Sequence, residues 1–283
     1  MPLQVRVFLL TVLAMLAFAG NSLLCRLALK NANIDAASFT LIRLASGAFT
    51  LWLIMVGRKT TATGNWISAA ALFVYAGAFS FAYVSLPAAT GALILFGSVQ
   101  FTMLGYGVAK GDRLSAFQVT GIVIAACSLV ALLLPGLAAP SVTGATLMMS
   151  AGIAWGVYSL RGRHLGDPAR ATAGNFIRAV PFAAVLAAVM LPQLMADAAG
   201  IGYAVASGAV TSAIGYIVWY GAVKMLKTTT AASVQLSVPA LTALGGIAFL
   251  DEHLTWKLAL ACLGILGGVA LAVLAVRPWR RPF

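Results

Sequence analysis

The stretch TTTAASVQLSVPALTALGGIAFLDEHLTW, residues 228–256, decides the predicted fold. Its apolar part is long enough to cross a bilayer, and it ends in Asp251-Glu252-His253. A weaker copy lies 140 residues earlier, with Thr102-Met103-Leu104-Gly105 under Thr242-Ala243-Leu244-Gly245 and Asp112 under Glu252. A fixed offset of about half the chain length indicates an internal duplication.

The composition is that of an integral membrane protein. The chain has 283 residues, of which 62% are hydrophobic and only 8% charged, whereas soluble domains carry about a quarter charged residues. We therefore predict an all-α integral membrane protein with ten transmembrane helices arranged as two inverted five-helix repeats, residues 1–136 and 137–283. The predicted spans are 6–27, 37–56, 66–86, 88–109, 115–134, 141–160, 172–191, 199–223, 229–249 and 257–276.

The positive charges predict the orientation of these spans. A net charge of +12 would suggest nucleic acid as the partner of a soluble protein, but here it is typical of positive-inside loops that meet anionic lipid. With the N-terminus in the cytoplasm, thirteen Lys and Arg residues fall inside and only Arg26, Lys30 and Lys257 fall outside. We expect a multi-pass protein of the bacterial inner membrane with both termini cytoplasmic. Five spans per half give the second repeat the opposite topology, as in many secondary transporters.

Signals for an enzyme or a metal site are absent from the sequence. Cys25, Cys127 and Cys262 stand singly in apolar segments and indicate packed thiols rather than a disulfide framework. His164 and His253 fall in loops on opposite membrane faces, so they cannot share a metal ion. We predict no catalytic residue, no cofactor and no nucleic-acid partner.

Polar and aromatic residues inside the spans are the candidate substrate-binding residues. On the eighth predicted span, Tyr216, Trp219 and Tyr220 share one helical face. Amides and hydroxyls in hydrocarbon need partners and should face the bundle interior, where they would line an aromatic-walled cavity. Packing or an interfacial aromatic belt is the alternative interpretation of these aromatic residues, and helix bridging that of the amides. The candidates of this kind are Asn21, Tyr75, Phe79, Tyr83, Gln100, Trp155, Tyr158, Tyr216, Trp219 and Gln235.

Two arginines complete the predicted site. Aligning the second span with the seventh brings Arg43 into register with Arg178, through Leu41-Ile42-Arg43-Leu44 and Phe176-Ile177-Arg178-Ala179. An intramembrane arginine is costly and is a functional candidate. Either the two arginines bind backbone carbonyls at helix ends, or they bind an anionic group of the solute.

Glycines and prolines mark close helix contacts and bends. Gly152 and Gly156, and Gly264 and Gly268, are spaced for close approach of helices, either within one chain or between copies, so we expect a monomer or a weak dimer. Pro181 and Pro239 lie within spans and should kink them.

At this point the chain resembles the drug/metabolite transporter superfamily, in its ten-span EamA-type branch. The resemblance covers nearly the whole chain and is carried by the two-fold repeat, Arg43, Arg178, Trp155-Gly156 and the run from Ser237-Val238-Pro239 to Asp251-Glu252. The family usually has glycine before this glutamate; Asp251 stands there in this chain, and Gly111 stands before Asp112. The resemblance implies export of metabolites, with amino acids prominent and aromatic amino acids the best match. It also implies a central cavity lined by spans one to four and six to nine.

The sequence also predicts how transport is driven. All six acidic residues and both histidines fall in loops or at span ends, so no side chain inside the membrane is suited to carry protons. We therefore predict a facilitator that works by alternating access on a small-molecule substrate. The alternatives are a transporter of another solute class, such as a sugar-phosphate, nucleotide-sugar or drug, and a non-transporting membrane scaffold.

Overall fold

The protein is all-helical in a computed structural model, which describes residues 3–111, 114–134, 140–162, 166–226, 234–253 and 255–274. No strand occurs within these ranges, and one isolated bridge joins Ile34 to Ala196. The helices of the described residues are α1 (Leu3–Lys30), α2 (Ala36–Gly57), α3 (Trp66–Ser85), α4 (Ala88–Ala109), α5 (Ala116–Leu133), α6 (Val142–Gly162), α7 (Pro168–Val189), α8 (Ala198–Val223), α9 (Ser237–Leu250) and α10 (Trp256–Leu274).

Six of these helices are long and apolar enough to cross a membrane, namely α1 to α4, α7 and α8. Residues 116–132, 237–250 and 256–272 form shorter apolar helices. α6 has 21 residues but is not among the six, because Trp155, Tyr158 and several Gly, Ser and Thr residues lower its hydropathy. Within the described residues, each predicted span thus coincides with a helix. Residues 229–233 and 275–276 of the last two spans lie outside the described residues.

Capping residues fix where several helices begin. Asp35, Asn65, Asp167 and Asp197 are the N-caps of α2, α3, α7 and α8, and each accepts backbone N–H groups of its own first turn. Such side chains satisfy donors that the helix itself leaves unpaired. The α2 and α8 caps are tied together, because Asp35 also accepts from the Met195 backbone N–H, and Asp197 accepts from the Asn33 side chain.

The helices pack as an inner group with one peripheral pair. α2 packs on α7, α3 and α4 pack on α6, and α1 packs on α8 and α9. α5 and α10 pack chiefly on each other and reach the rest through α4. Gly121 and Gly268 lie against each other's backbone, and Gly264 lies against Ser128. Gly121, Gly264 and Gly268 therefore serve packing within this chain.

Two helices depart from regular α geometry. Residues Ser207–Ile214 of α8 form a π-helical segment, a feature that is rare and often found at functional sites. α9 begins at Ser237 after a turn at Leu236, so the chain breaks three residues before Pro239. That break is where a proline, which lacks an N–H and crowds the preceding turn, is expected to interrupt a helix.

Candidate functional site: a buried arginine in an aromatic cluster

Arg43 lies at the centre of the helix bundle. Its side chain is 1% exposed, and its guanidinium carbon lies 5.1 Å from the centre of the Tyr75 ring and 5.0 Å from that of Phe79. Its Nε donates to Ser212 Oγ at 3.1 Å, and its Nη2 donates to the Tyr75 hydroxyl at 3.1 Å. Stacking on aromatic faces suits the weakly hydrated guanidinium better than it would an ammonium group.

The charge of Arg43 is only partly satisfied. Among the described residues, Nη1 has no hydrogen-bond partner and no carboxylate forms a salt bridge with this side chain. The hydroxyl of Tyr216, which is also buried, has no hydrogen-bond partner among the described residues either. A buried donor left unpaired is costly, so these two groups are suited to donate to an anionic or hydrogen-bonding ligand.

Trp155 joins the aromatic residues into one cluster. Its ring centre lies 4.9 Å from that of Tyr75, 4.8 Å from that of Tyr216 and 5.6 Å from that of Tyr158. Phe18, a residue that sequence reasoning missed, contacts Trp155, Tyr216 and Trp219 at 5.8–6.1 Å. These six aromatic side chains, from α1, α3, α6 and α8, thus form one connected cluster, which reaches Arg43 through Tyr75 and its neighbour Phe79.

The polar part of the cluster lies between α1 and the π-helical segment of α8. Asn21 Nδ2 donates to the Tyr75 hydroxyl at 3.2 Å, and Asn21 Oδ1 accepts from Ser207 at 2.7 Å and from Thr211 at 3.3 Å. The π geometry brings Ser207, Thr211 and Ser212 to one side of α8. Sequence reasoning missed these three hydroxyl residues; their polarity within an apolar span was the available signal.

The cluster is packed closed. The space enclosed by Phe18, Asn21, Tyr75, Trp155, Tyr216 and their neighbours is about 10 Å³, about the smallest volume that holds one water molecule. The side chains predicted to line a substrate cavity therefore fill it themselves. A solute can enter only if helices separate.

Some predicted site residues lie away from Arg43. Tyr83 is fully buried and donates to the Ala88 carbonyl, so it does not belong to an aromatic belt facing lipid. Tyr158 accepts from Asn175 at 3.5 Å towards the end of α6. Gln100 and Gln235 are both buried.

Arg178 occupies a different environment from Arg43, and it lies further from the start of its helix. Arg43 lies eight residues after the N-cap of α2, and the residue eight after the N-cap of α7 is Asn175. Arg178, three residues further on, donates to the carbonyls of Thr63 at 2.6 Å and Gly174 at 2.9 Å and lies over the Trp66 ring.

All three predicted thiols are free. Cys25 is buried, whereas Cys127 on α5 is exposed and Cys262 on α10 is partly exposed.

The residue before the glutamate of the predicted repeat has an unusual backbone conformation. Asp251 has φ 51° and Gly111 has φ 97°. Gly111 and Asp251, which are 140 residues apart, thus both have left-handed backbone. This explains why glycine is usual there and why aspartate, which tolerates this conformation, can replace it.

Comparison with known proteins identifies the family. Residues 142–274, from α6 to the end of α10, match the EamA-like transporter family. Over 275 residues the chain is 54% identical to Uncharacterized protein PA1977 of Pseudomonas aeruginosa, covering 96% of each chain. The chain belongs to the EamA-like transporter family. This EamA-like protein is therefore a multi-pass membrane transporter, as the resemblance found in the sequence predicted.

Two further likenesses concern half of the chain and the fold. The EamA-like protein is 34% identical over 141 residues to the Threonine/homoserine exporter RhtA of Salmonella typhimurium, covering 48% of this chain and 46% of RhtA. This match spans about half the length of RhtA. A solved crystal structure that is 20% identical superposes with a TM-score of 0.66 over 94% of this chain and 99% of its own. That likeness shows a shared fold.

Proposed function

We propose that this transporter exports amino acids, aromatic or other neutral ones, or similar small metabolites by alternating access. The observation that carries the proposal is the buried guanidinium of Arg43. Among the described residues one of its nitrogens has no partner, nor has the hydroxyl of Tyr216, which interacts electrostatically with it. A planar guanidinium is the preferred partner of a carboxylate. The likeness to a threonine/homoserine exporter supports the same class of solute.

The residues around Arg43 favour an amino acid over the other solute classes. A sugar-phosphate or nucleotide-sugar would call for several basic groups in one cavity, but Arg178 is held by backbone carbonyls at the edge of the bundle. A non-transporting scaffold would gain nothing from an unpaired buried arginine, which costs free energy. The aromatic rings supply apolar contact for the side chain of the solute.

Two inverted five-helix repeats in ten spans remain our proposal for the architecture that moves the solute. The left-handed residues Gly111 and Asp251, each followed by an acid, support a repeat offset of 140 residues. Helix contacts also come in related pairs: α3 packs on α6 as α8 packs on α1, and α4 packs on α6 as α9 packs on α1. In such folds one repeat moves against the other around a midplane site, which would open the closed cluster.

Counterflow in proteoliposomes tests the function directly. Vesicles loaded with unlabelled threonine, homoserine, phenylalanine or tryptophan would receive labelled solute outside, with pH and salt equal on both sides. A facilitator accumulates label transiently under these conditions. Transport that appears only with an imposed proton gradient and stops with a protonophore would contradict a facilitator. Absence of counterflow for every amino acid, with counterflow of a sugar-phosphate, would contradict the solute class.

Reporter fusions test the proposed orientation in the inner membrane. If both termini are cytoplasmic, a reporter after Phe283 and one beside Asp167 should read cytoplasmic, and one beside Asp197 should read external. A C-terminal reporter that reads external would rule out an even number of spans with a cytoplasmic N-terminus.

A further inference from the structure

A second cavity lies away from Arg43, where α3 ends, α4 and α6 begin, and α9 turns into α10. Its volume is about 290 Å³, at the lower end of the roughly 300–1,000 Å³ of ligand pockets. The polar side chains of its wall are Ser85, Thr90, Ser141, Glu252, His253 and Thr255. Leu132, Ile247 and Leu258 provide apolar wall. In the proposed orientation this cavity is on the external side.

Glu252 is the anionic group of this cavity. The left-handed turn at Asp251 redirects the chain after α9, and the Glu252 backbone N–H returns to the Gly246 carbonyl at 3.1 Å. Its carboxylate accepts the Ala88 N–H at the start of α4, at 2.8 and 3.0 Å, and Arg26 Nε at 3.3 Å. The side chains of both Glu252 and Arg26 are 13% exposed, so the ion pair is mostly buried but remains accessible to solvent.

Arg26 has other acceptors within reach. Its Nη1 donates to the carbonyls of Tyr83 at 2.9 Å and Val84 at 3.1 Å at the end of α3. Its contact with Glu252 is a single hydrogen bond through Nε, at the long end of the usual range. A cation that takes the place of Nε therefore leaves Arg26 with partners, and the carboxylate has room for another donor.

We propose that this cavity is a second solute site that binds an ammonium group, with Glu252 as its counter-ion in place of Arg26. The inference rests on the proposed function and adds to it. The carboxylate of an amino acid binds Arg43 in the central cluster, and its ammonium group binds Glu252 on the way out. The bond from Ala88 holds the carboxylate in position. Small primary amines fit the volume.

Ligand-observed NMR on the detergent-solubilised protein tests the site without transport. The probes are n-butylammonium, butyrate and n-butanol. Arg26→Met removes the competing cation and should tighten butylammonium binding by about three- to tenfold, whereas Glu252→Gln should weaken it by a similar factor. Asp251→Asn is the matched control, because it removes the charge next to Glu252 while asparagine also tolerates the left-handed turn. Butylammonium should bind this variant as tightly as it binds the wild type.

The opposite directions of the two variants separate a binding site from a purely structural ion pair. If the pair only holds helices together, both variants lower the melting temperature and neither tightens amine binding, which overturns the inference. Equal binding of butyrate and butylammonium overturns it as well. If Glu252→Gln does not fold, the gain expected in Arg26→Met, with Arg26→Gln as its repeat, decides the matter.

Failure of this inference is distinguishable from failure of the proposed function. Amino-acid counterflow that is intact while butylammonium does not bind would remove the second site and leave the exporter. Butylammonium binding that depends on Glu252, without amino-acid counterflow, would keep the site and remove the proposed solute.

Discussion

Arg43 and Arg178 lie on helices that pack against each other, yet the two guanidinium groups have different kinds of hydrogen-bond acceptor. Arg178 lies in the middle of α7, where the loop before α3 supplies the Thr63 carbonyl and its own helix supplies that of Gly174. The acceptors of Arg43 are instead the hydroxyl groups of Ser212 and Tyr75, and one nitrogen has none among the described residues.

The difference is the reason why we propose Arg43, and not Arg178, as the arginine that binds solute. Backbone carbonyls are fixed acceptors that satisfy a guanidinium permanently. Side-chain hydroxyls can turn away, and a vacant N–H is a ready donor for a carboxylate. The four predictions below test this distinction, from the largest expected effect to the smallest.

Replacing each arginine by lysine should separate the two roles most clearly. Arg43→Lys removes the guanidinium fork that would hold a carboxylate, so we expect amino-acid counterflow to fall by about tenfold or more, equal to about 1.4 kcal/mol. Arg178→Lys should leave the apparent affinity unchanged and lower the melting temperature, because its contacts are to backbone carbonyls. The measurement is initial counterflow rate against substrate concentration. Equal loss in both variants would abolish the comparison.

Adding one methyl group beside each arginine should test how rigid its surroundings are. A Cβ at Gly208 would overlap the Arg43 carbonyl and Ser46 Oγ, and a Cβ at Gly174 would overlap the Thr63 carbonyl. Overpacking costs about 1–3 kcal/mol where neighbours cannot move. We expect Gly208→Ala, between two packed helices, to lower the thermal midpoint more than Gly174→Ala, which presses on a loop. A larger loss in Gly174→Ala would show that the loop is the more rigid element. Gly202→Ala, with nothing near its Cβ, is the control.

The helices were predictable from the sequence and part of the site was not. Long apolar runs fix α1 to α4, α7 and α8 because each must bury its backbone polar groups internally. Of the aromatic residues at helical spacing on α3 and α8, Tyr75 and Tyr216 contact Trp155. The π segment was not predictable, since no proline or glycine pattern specifies it. Within this π segment, Gly208 and Ser212 contact α2. Phe18 carried no signal, because no other aromatic residue of its apolar helix lies at helical spacing from it.

The unpaired hydroxyl beside Arg43 should respond differently from a structural tyrosine. Tyr216 is buried and its hydroxyl has no partner among the described residues. Removing an unsatisfied buried polar group is neutral or stabilising by about 1 kcal/mol. Tyr216→Phe should therefore hold or raise the melting temperature while weakening amino-acid counterflow. Tyr75→Phe is the contrast, because it removes the acceptor of both Arg43 and Asn21, and it should lower the melting temperature. Unchanged transport in Tyr216→Phe would remove its hydroxyl from the site.

Acid should act on the cap of the helix that carries Arg43, and only weakly. Partial burial favours the neutral form of Asp35, but hydrogen bonds from Ser38, Met195 and Ala37 outweigh it and hold the pKa of Asp35 below its ordinary value of 3.8. At Asp197, hydrogen bonds from the Gly200 N–H and the Asn33 side chain likewise lower the pKa. A carboxyl whose pKa is lowered on folding stabilises the fold above its unfolded pKa, and that contribution is lost as the pH falls through the folded value.

Replacing Asp35 by asparagine, an alternative N-cap without charge, tests this contribution. We expect the difference in melting temperature between wild type and Asp35→Asn to be small and constant from pH 5 to 8 and to shrink below pH 3.8. The double variant with Asp197→Asn should behave in the same way with a larger difference. A gap that stays constant down to the acid limit would mean that the charge of Asp35 does not stabilise α2, and that its oxygen alone provides the cap.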